Sequence, residues 1–263
     1  MNNLWNMIWI ELRKTTRSRI PQLTTLGSLF LPAGIGFLLF IARNPEISRK
    51  LGLISAKADL MRVTATDWPS YLTLSAQMIA MAGFFFFCLI ISWIFGREFT
   101  DGTIIDILAV PVPRASILLA KFIVSALWCS IISCVIFILI LLLGALFTLP
   151  QGTEDTIWQG AFVMLITVCL TILIIFPFAL LASIGRGYLL PMGTAIITLI
   201  FANIAAIAGW GEYFPWAIPG MYSQALVTTG APLEPASYWV VILTGLVGMA
   251  GTYLWWKNAD QSK

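Results

Sequence analysis

The sequence predicts an all-α membrane protein: six transmembrane helices, an N-terminal interfacial (elbow) helix, and a short cytoplasmic helix between spans two and three. Three observations carry this prediction. The chain is 59% hydrophobic and only 10% charged over 263 residues, against roughly 25% charged in a soluble domain. Long apolar runs free of Asp, Glu, Lys and Arg recur along it, and an ionised group at the centre of a span costs about 2.5 to 3.5 kcal/mol. The few cations cluster between these runs. There is no histidine, which removes Ser-His-Asp hydrolysis, Cys-His catalysis and the H-E-x-x-H zinc site from consideration.

Residues 1–22 form the first unit. Leu4, Trp5, Ile8 and Leu12 fall at helical spacing, Glu11, Lys14 and Arg17 to Arg19 supply a wet face, and Pro21 is expected to close the helix. A basic tail would satisfy the same charge pattern; the paired Trp5 and Trp9 favour an interfacial helix. Residues 23–263 form the transmembrane unit, with spans at about 23–41, 71–95, 122–146, 158–181, 189–208 and 238–256, each near the roughly 20 residues that cross a bilayer. Trp68, Tyr71, Trp93, Trp158, Trp210, Trp216, Tyr238, Trp239, Trp255 and Trp256 sit at or near span ends, as an aromatic belt would. The four cysteines lie within spans and read as small apolar residues.

Ten of the fifteen cations (Arg13, Lys14, Arg17, Arg19, Arg97, Arg114, Lys121, Arg186, Lys257 and Lys263) lie at the termini and in the second and fourth connections. The positive-inside rule therefore puts both termini in the cytoplasm. The first connection, 42–70, holds the other five and is external in this topology. The fifth, Gly209 to Ser237, is too apolar for a solvated loop and too rich in proline for a span, which predicts short re-entrant or interfacial helices.

No titratable side chain lies within a span, so coupling to an ion gradient has no obvious carrier. There is also no G-x-x-x-x-G-K-[ST] loop for ATP. Energy for uphill transport would have to come from a partner. The strongest polar groups in the apolar runs are Gln77 and Asn203; with Phe84 and Phe87 they are candidates for a substrate path. Thr244, Gly248 and Thr252 place a small residue every four positions, a pattern that favours close helix packing.

The second connection is the most informative. In about 98–111, Thr100 is placed as an N-cap, Thr103 and Asp106 follow, and Pro111 stops a helix of about two turns, with Ile104, Ile105 and Leu108 on one apolar side. A short helix held at both ends by spans acts as a lever; an ordinary capped loop is the alternative.

Glu98, Gly102 and Thr103, followed by Pro111, Arg114 and Lys121, resemble the E-x-x-x-G-T … P-x-x-R … K signature of permease subunits of type-2 ABC exporters. The N-terminal Glu11-Leu12-Arg13-Lys14 and the six-span layout are similar to that family too, and the general appearance is closest to its lantibiotic-immunity and bacitracin-resistance branch. The resemblance implies that Glu98, Thr100, Gly102, Thr103, Asp106, Pro111, Arg114 and Lys121 form the ATPase-coupling segment. Glu98 would orient it, Gly102 allow its turn and Asp106 face the ATPase, while Arg114 and Lys121 would anchor the helix end at the headgroups. It further implies two cytoplasmic ATPase subunits carrying ATP-Mg, a second permease copy or sister subunit, and export of a hydrophobic or amphipathic peptide or drug from a bacterial cell. No catalytic or metal-binding residue, directly bound cofactor or nucleic acid is expected. Two other classes compete. One is a membrane immunity or scaffold protein that does not pump. The other is an intramembrane lipid enzyme, because Asp101-Gly102 with Asp106 resembles a fragment of the CDP-alcohol phosphotransferase motif, although the further aspartates of that motif are missing.

Overall fold

The computed structural model describes residues 2–43, 67–225 and 233–258. Most of the cation-rich connection 42–70 and part of the fifth connection lie outside the described residues. Within them the chain is helical, with no strand. The helices are α1 (Asn2–Arg17), α2 (Arg19–Ser28), α3 (Phe30–Arg43), α4 (Trp68–Thr100), α5 (Ile104–Ala109), α6 (Arg114–Leu146), α7 (Glu154–Ile184), α8 (Leu189–Ile207), α9 (Ile218–Tyr222) and α10 (Pro235–Asn258).

Five of these, α4, α6, α7, α8 and α10, are long and apolar enough to cross a membrane, and they fall on five of the six expected spans. The first expected span, 23–41, is instead divided between α2 and α3, which meet at Leu29. Pro32 explains the interruption, because it has no N–H to return to the carbonyl of Ser28 four residues earlier. A second departure is at the N-terminus. Helix α1 stops at Arg17 rather than at Pro21; Ser18 is extended and its hydroxyl accepts from Ile20 N, capping α2. Pro21 then occupies the first turn of α2, where a missing N–H costs nothing.

The two ends of the bundle differ in chemistry. At one, Asp67 caps α4 by accepting from Ser70 N at 2.9 Å, Trp68 N donates to Pro150 O, and Thr153 caps α7 ahead of Glu154 and Asp155. A Cβ on Gly144 or Gly152 would lie 2.5 Å from the Trp68 ring, so these glycines make room for the indole. At the other end the start of α6 meets the final turns of α4 and α10. Helix α6 has 33 residues, about 50 Å, against roughly 30 Å of hydrocarbon, so its ends project from the apolar zone.

Helices α4 and α7 form the core, each with two thirds of its most apolar stretch buried, and α10 lies along α7. The contact between α7 and α10 is backbone-close: a Cβ on Gly248 would sit 2.5 Å from Pro177 N and 2.8 Å from Phe176 C, and one on Gly245 would sit 3.1 Å from Leu173 O. Thr252 is fully buried on the same side, while Thr244 is only half-buried. The aromatic belt is also only partial. Trp158, Trp210 and Trp239 are exposed, but Trp68, Tyr71, Trp93 and Trp256 are buried, each held inward by a partner or by packing: the Tyr71 hydroxyl donates to Ile140 O at 2.8 Å and Trp256 Nε1 donates to Ser183 Oγ at 2.9 Å.

Replacing Gly248 by Val should drive α10 off α7 and lower stability by about 1 to 3 kcal/mol, the usual cost of overpacking. Gly34→Ala, where an added Cβ meets nothing within 4 Å, should be neutral or slightly stabilising. Thermal unfolding of both variants in detergent, followed by intrinsic fluorescence, checks the pair.

Candidate functional site: a buried charge cluster behind an exposed short helix

The last turn of α4, the first turns of α6 and the middle of α1 converge on five charged side chains. Glu98 and Lys121 form the centre, with Lys121 Nζ donating to Glu98 Oε1 at 2.9 Å and to Ile94 O at 3.1 Å. Arg97 Nη2 donates to Glu11 Oε2, and its guanidinium lies over the Trp93 ring, 4.6 Å from the centroid. Glu11 Oε1 stands 3.2 Å from Lys121 Nζ as a charge contact. Lys14 Nζ, part-exposed, reaches Glu98 Oε1 at 3.4 Å. Glu11 and Lys121 have no solvent exposure, and Glu98 has 2%.

Removing such charges from water costs several kcal/mol each, repaid only when every charge has a close partner. Here two carboxylates face three cations. The net positive balance leaves Lys14, the outermost, to be solvated. The cluster therefore pins α1 to α4 and α6.

One bond carries the cluster outward. Thr103 Oγ1 donates to Glu98 Oε2 at 2.7 Å, so the carboxylate at the centre also holds the residue preceding α5. Helix α4 ends with Asp101 N on Arg97 O and with Gly102 at φ +70°, the left-handed conformation in which glycine carries no Cβ penalty. Thr103, not Thr100, is the residue that leads into α5. Thr100 is still in α4, its hydroxyl bonded back to Arg97 O at 3.0 Å, because pairing Arg97 and Glu98 inside the protein lets the helix run on. Helix α5 is six residues long and stops at Ala109; Val110 is extended, as the residue before Pro111 must be.

Helix α5 presents Asp106 and Ile105 to the exterior, the latter 59% exposed, while Ile104 is buried beneath. The expected single apolar side is thus split between Ile104 and Ile105, which lie about 100° apart around a helix. Two further expectations are corrected. Lys121 does not reach the headgroups; it is sealed inside the cluster. Glu11 is not on the wet face of α1 but on its buried face with Thr15. Arg114 is exposed, yet its Nη1 donates to Trp256 O at 2.8 Å and Lys257 O at 3.2 Å, closing the C-terminus of α10. Glu11, Lys14 and Arg97 were not among the expected coupling residues. A signal for Glu11 exists in the sequence: it continues the Leu4–Ile8 stripe at helical spacing, where an apolar residue belongs.

The substrate-path candidates divide. Gln77 and the exposed Asn203 line one half-open cavity of about 160 Å³, with Met81, Trp216, Met221 and Gln224 among its other walls. Its α4 wall includes part of a π-helical turn, Ile79–Gly83, and its far wall is the fifth connection, where Trp216 Nε1 donates to Ile174 O at 3.1 Å. That connection carries a 3₁₀ turn, Gly211–Tyr213, and α9. Phe84 and Phe87 are elsewhere, in the core at 1% exposure, with Phe84 edge-on to Phe178.

A bundle of five helices long and apolar enough to cross a membrane, joined at one end by a buried ionic junction behind an exposed short helix, describes a multi-pass membrane protein. The family described as ABC-2 family transporter protein matches residues 7–203 of the chain, and the chain belongs to that family. It is 23% identical over 186 residues, 70% of its length and 88% of the relative's, to the bacitracin transport permease protein BCRB of Bacillus licheniformis. Membership makes the chain a membrane-embedded transport subunit and implies a partner ATPase subunit.

Lys121→Met, which leaves two carboxylates short of their shared cation, should cost roughly 3 to 5 kcal/mol. Lys121→Met combined with Glu98→Gln should recover part of that loss. Melting temperatures of the single and double variants give the comparison, and an additive double variant would contradict a coupled cluster.

Proposed function

We propose that this chain is the permease subunit of an ATP-driven exporter of hydrophobic or amphipathic peptides in a bacterial cell membrane. It works as a pair of permeases with two cytoplasmic ATPase subunits that carry ATP-Mg. The observation that carries the proposal is the Thr103–Glu98–Lys121–Glu11 connection. A force on α5 reaches α4 through Gly102 and the Thr103–Glu98 bond, α6 through Lys121, and α1 through Glu11, so three helices move together. Asp106 and Ile105 offer the ATPase a charge beside an apolar contact.

Several features support the rest of this reading. The kink of α2 and α3 at Leu29 still leaves a nearly continuous helical path from Arg19 to Arg43, long enough at about 1.5 Å per residue to serve as the sixth crossing. Lys14, Arg97, Arg114, Lys121 and Lys257 gather at one end of the bundle, the end that the positive-inside rule assigns to the cytoplasm; both termini then lie there, and α1 lies along the inner membrane surface as the elbow helix. The cavity at Gln77 and Asn203 accepts a group the size of one side chain, with amides to bond it and Met and Trp walls to bury it. It therefore grips part of a peptide rather than enclosing all of it. The bacitracin transport permease relative makes bacitracin the first cargo to try.

With the partner ATPase co-expressed, Asp106→Lys and Ile105→Glu should each abolish its recovery with the affinity-purified permease, and Glu154→Gln, at the opposite end of the bundle, should leave recovery unchanged. Equal recovery with all three variants would refute docking at α5. In proteoliposomes holding the complex, ATP-dependent bacitracin movement should appear; a complex that hydrolyses ATP yet moves no peptide would remove the cargo assignment and leave the subunit assignment intact.

A further inference from the structure

Between α6 and α10 lies a surface groove of about 360 Å³, walled by Leu118, Leu119 and Phe122 on one side and Leu246, Met249 and Tyr253 on the other. Helical spacing extends both walls to cations at the same end. Arg114 is one turn before Leu118, and Lys257 one turn after Tyr253. The Arg114 bonds to Trp256 O and Lys257 O show that these two helix ends touch. Both cationic side chains are exposed.

We infer that this groove is a binding site for an anionic glycerophospholipid, with an acyl chain between α6 and α10 and the phosphate at Arg114 and Lys257. The argument is one of charge complementarity. The bare C-terminal carbonyls of α10 would repel an anion, but Arg114 satisfies two of them with Nη1 alone, and its planar group carries five N–H donors in all. The remaining donors and the Lys257 ammonium keep the groove mouth positive. The walls below it offer hydrocarbon only, apart from the Tyr253 hydroxyl near the mouth, a position suited to the boundary between tail and headgroup. A basic mouth above an apolar interhelical groove is the arrangement by which membrane proteins select anionic lipids. The site does not depend on the transport reading; only its assignment to the cytoplasmic leaflet does. An occupant there would tie the start of α6, directly after the segment at α5, to the last helix.

To test this, the full-length protein is reconstituted into nanodiscs of equimolar phosphatidylglycerol and phosphatidylcholine, extracted in mild detergent, and the retained lipid measured by mass spectrometry. The wild type should retain phosphatidylglycerol in excess. Lys257→Gln should lower the retained phosphatidylglycerol to phosphatidylcholine ratio about fivefold, and adding Arg114→Gln should lower it about fivefold again. Because Arg114 also closes α10, Ala250→Phe provides a second line of evidence: it fills the groove from an exposed position without altering charge, and should release both lipids at an unchanged melting temperature. An unaltered ratio in Lys257→Gln, or full phosphatidylglycerol retention in Ala250→Phe, would overturn the inference.

Discussion

The ionic junction of Glu11, Lys14, Arg97, Glu98 and Lys121 is the constraint around which this protein is arranged. A Lys with no solvent exposure is expensive anywhere, and a Glu beside it with none is equally so. Together they stabilise only one arrangement of the three helices that supply them, because displacing any helix leaves an unpaired charge in an apolar setting. Hydrophobic packing is more forgiving: in a bilayer lipid tails replace protein contacts at little cost, so apolar surface alone specifies the positions of α1, α4 and α6 weakly. The charge cluster supplies the specificity that lipid solvation removes.

The same reasoning explains why the glycines matter where they do. Without a strong apolar drive between helices, close approach and dispersion must hold α10 against α7, and the side chains of Gly245 and Gly248 are absent where the Leu173 and Pro177 backbones come nearest. Gly96 meets the Gly187 backbone in the same way, a Cβ there falling 2.9 Å from Gly187 C. The basic end of the bundle is thus joined by charge at α1, α4 and α6, by backbone contact between α4 and the loop after α7, and by Arg114 at α10. Among the described residues, the opposite end is held by helix caps and the buried Trp68 indole. The cavity lies further along α4, at its π turn, away from the charged end.

The arrangement also accounts for the sparse polar content elsewhere. Serine and threonine hydroxyls within the spans bond to carbonyls one turn back, as Thr167, Thr171, Ser125 and Ser133 do. They add no titratable group to the apolar zone. The amides of Gln77 and Asn203 at the cavity are the exception in kind, set where the fifth connection folds in beside them.

Composition and patterning alone determined the membrane setting, five of the long helices, four of them to within about five residues at each end, the stop before Pro111 and the turn at Gly102, because hydrophobic length and backbone preference are local properties. The cavity shared by Gln77 and Asn203 was legible only as two isolated amides. Only the tertiary structure decided which way each charge faces. Glu11 and Lys121 look like surface residues in a charged N-terminus and a span mouth, and both are buried. Whether a charge meets water, lipid or another charge depends on helices distant in sequence, 86 positions apart in the case of Glu11 and Arg97. The inward turn of Trp256 has the same origin: it follows from Ser183, 73 positions away, to which its indole donates, and which no local pattern records.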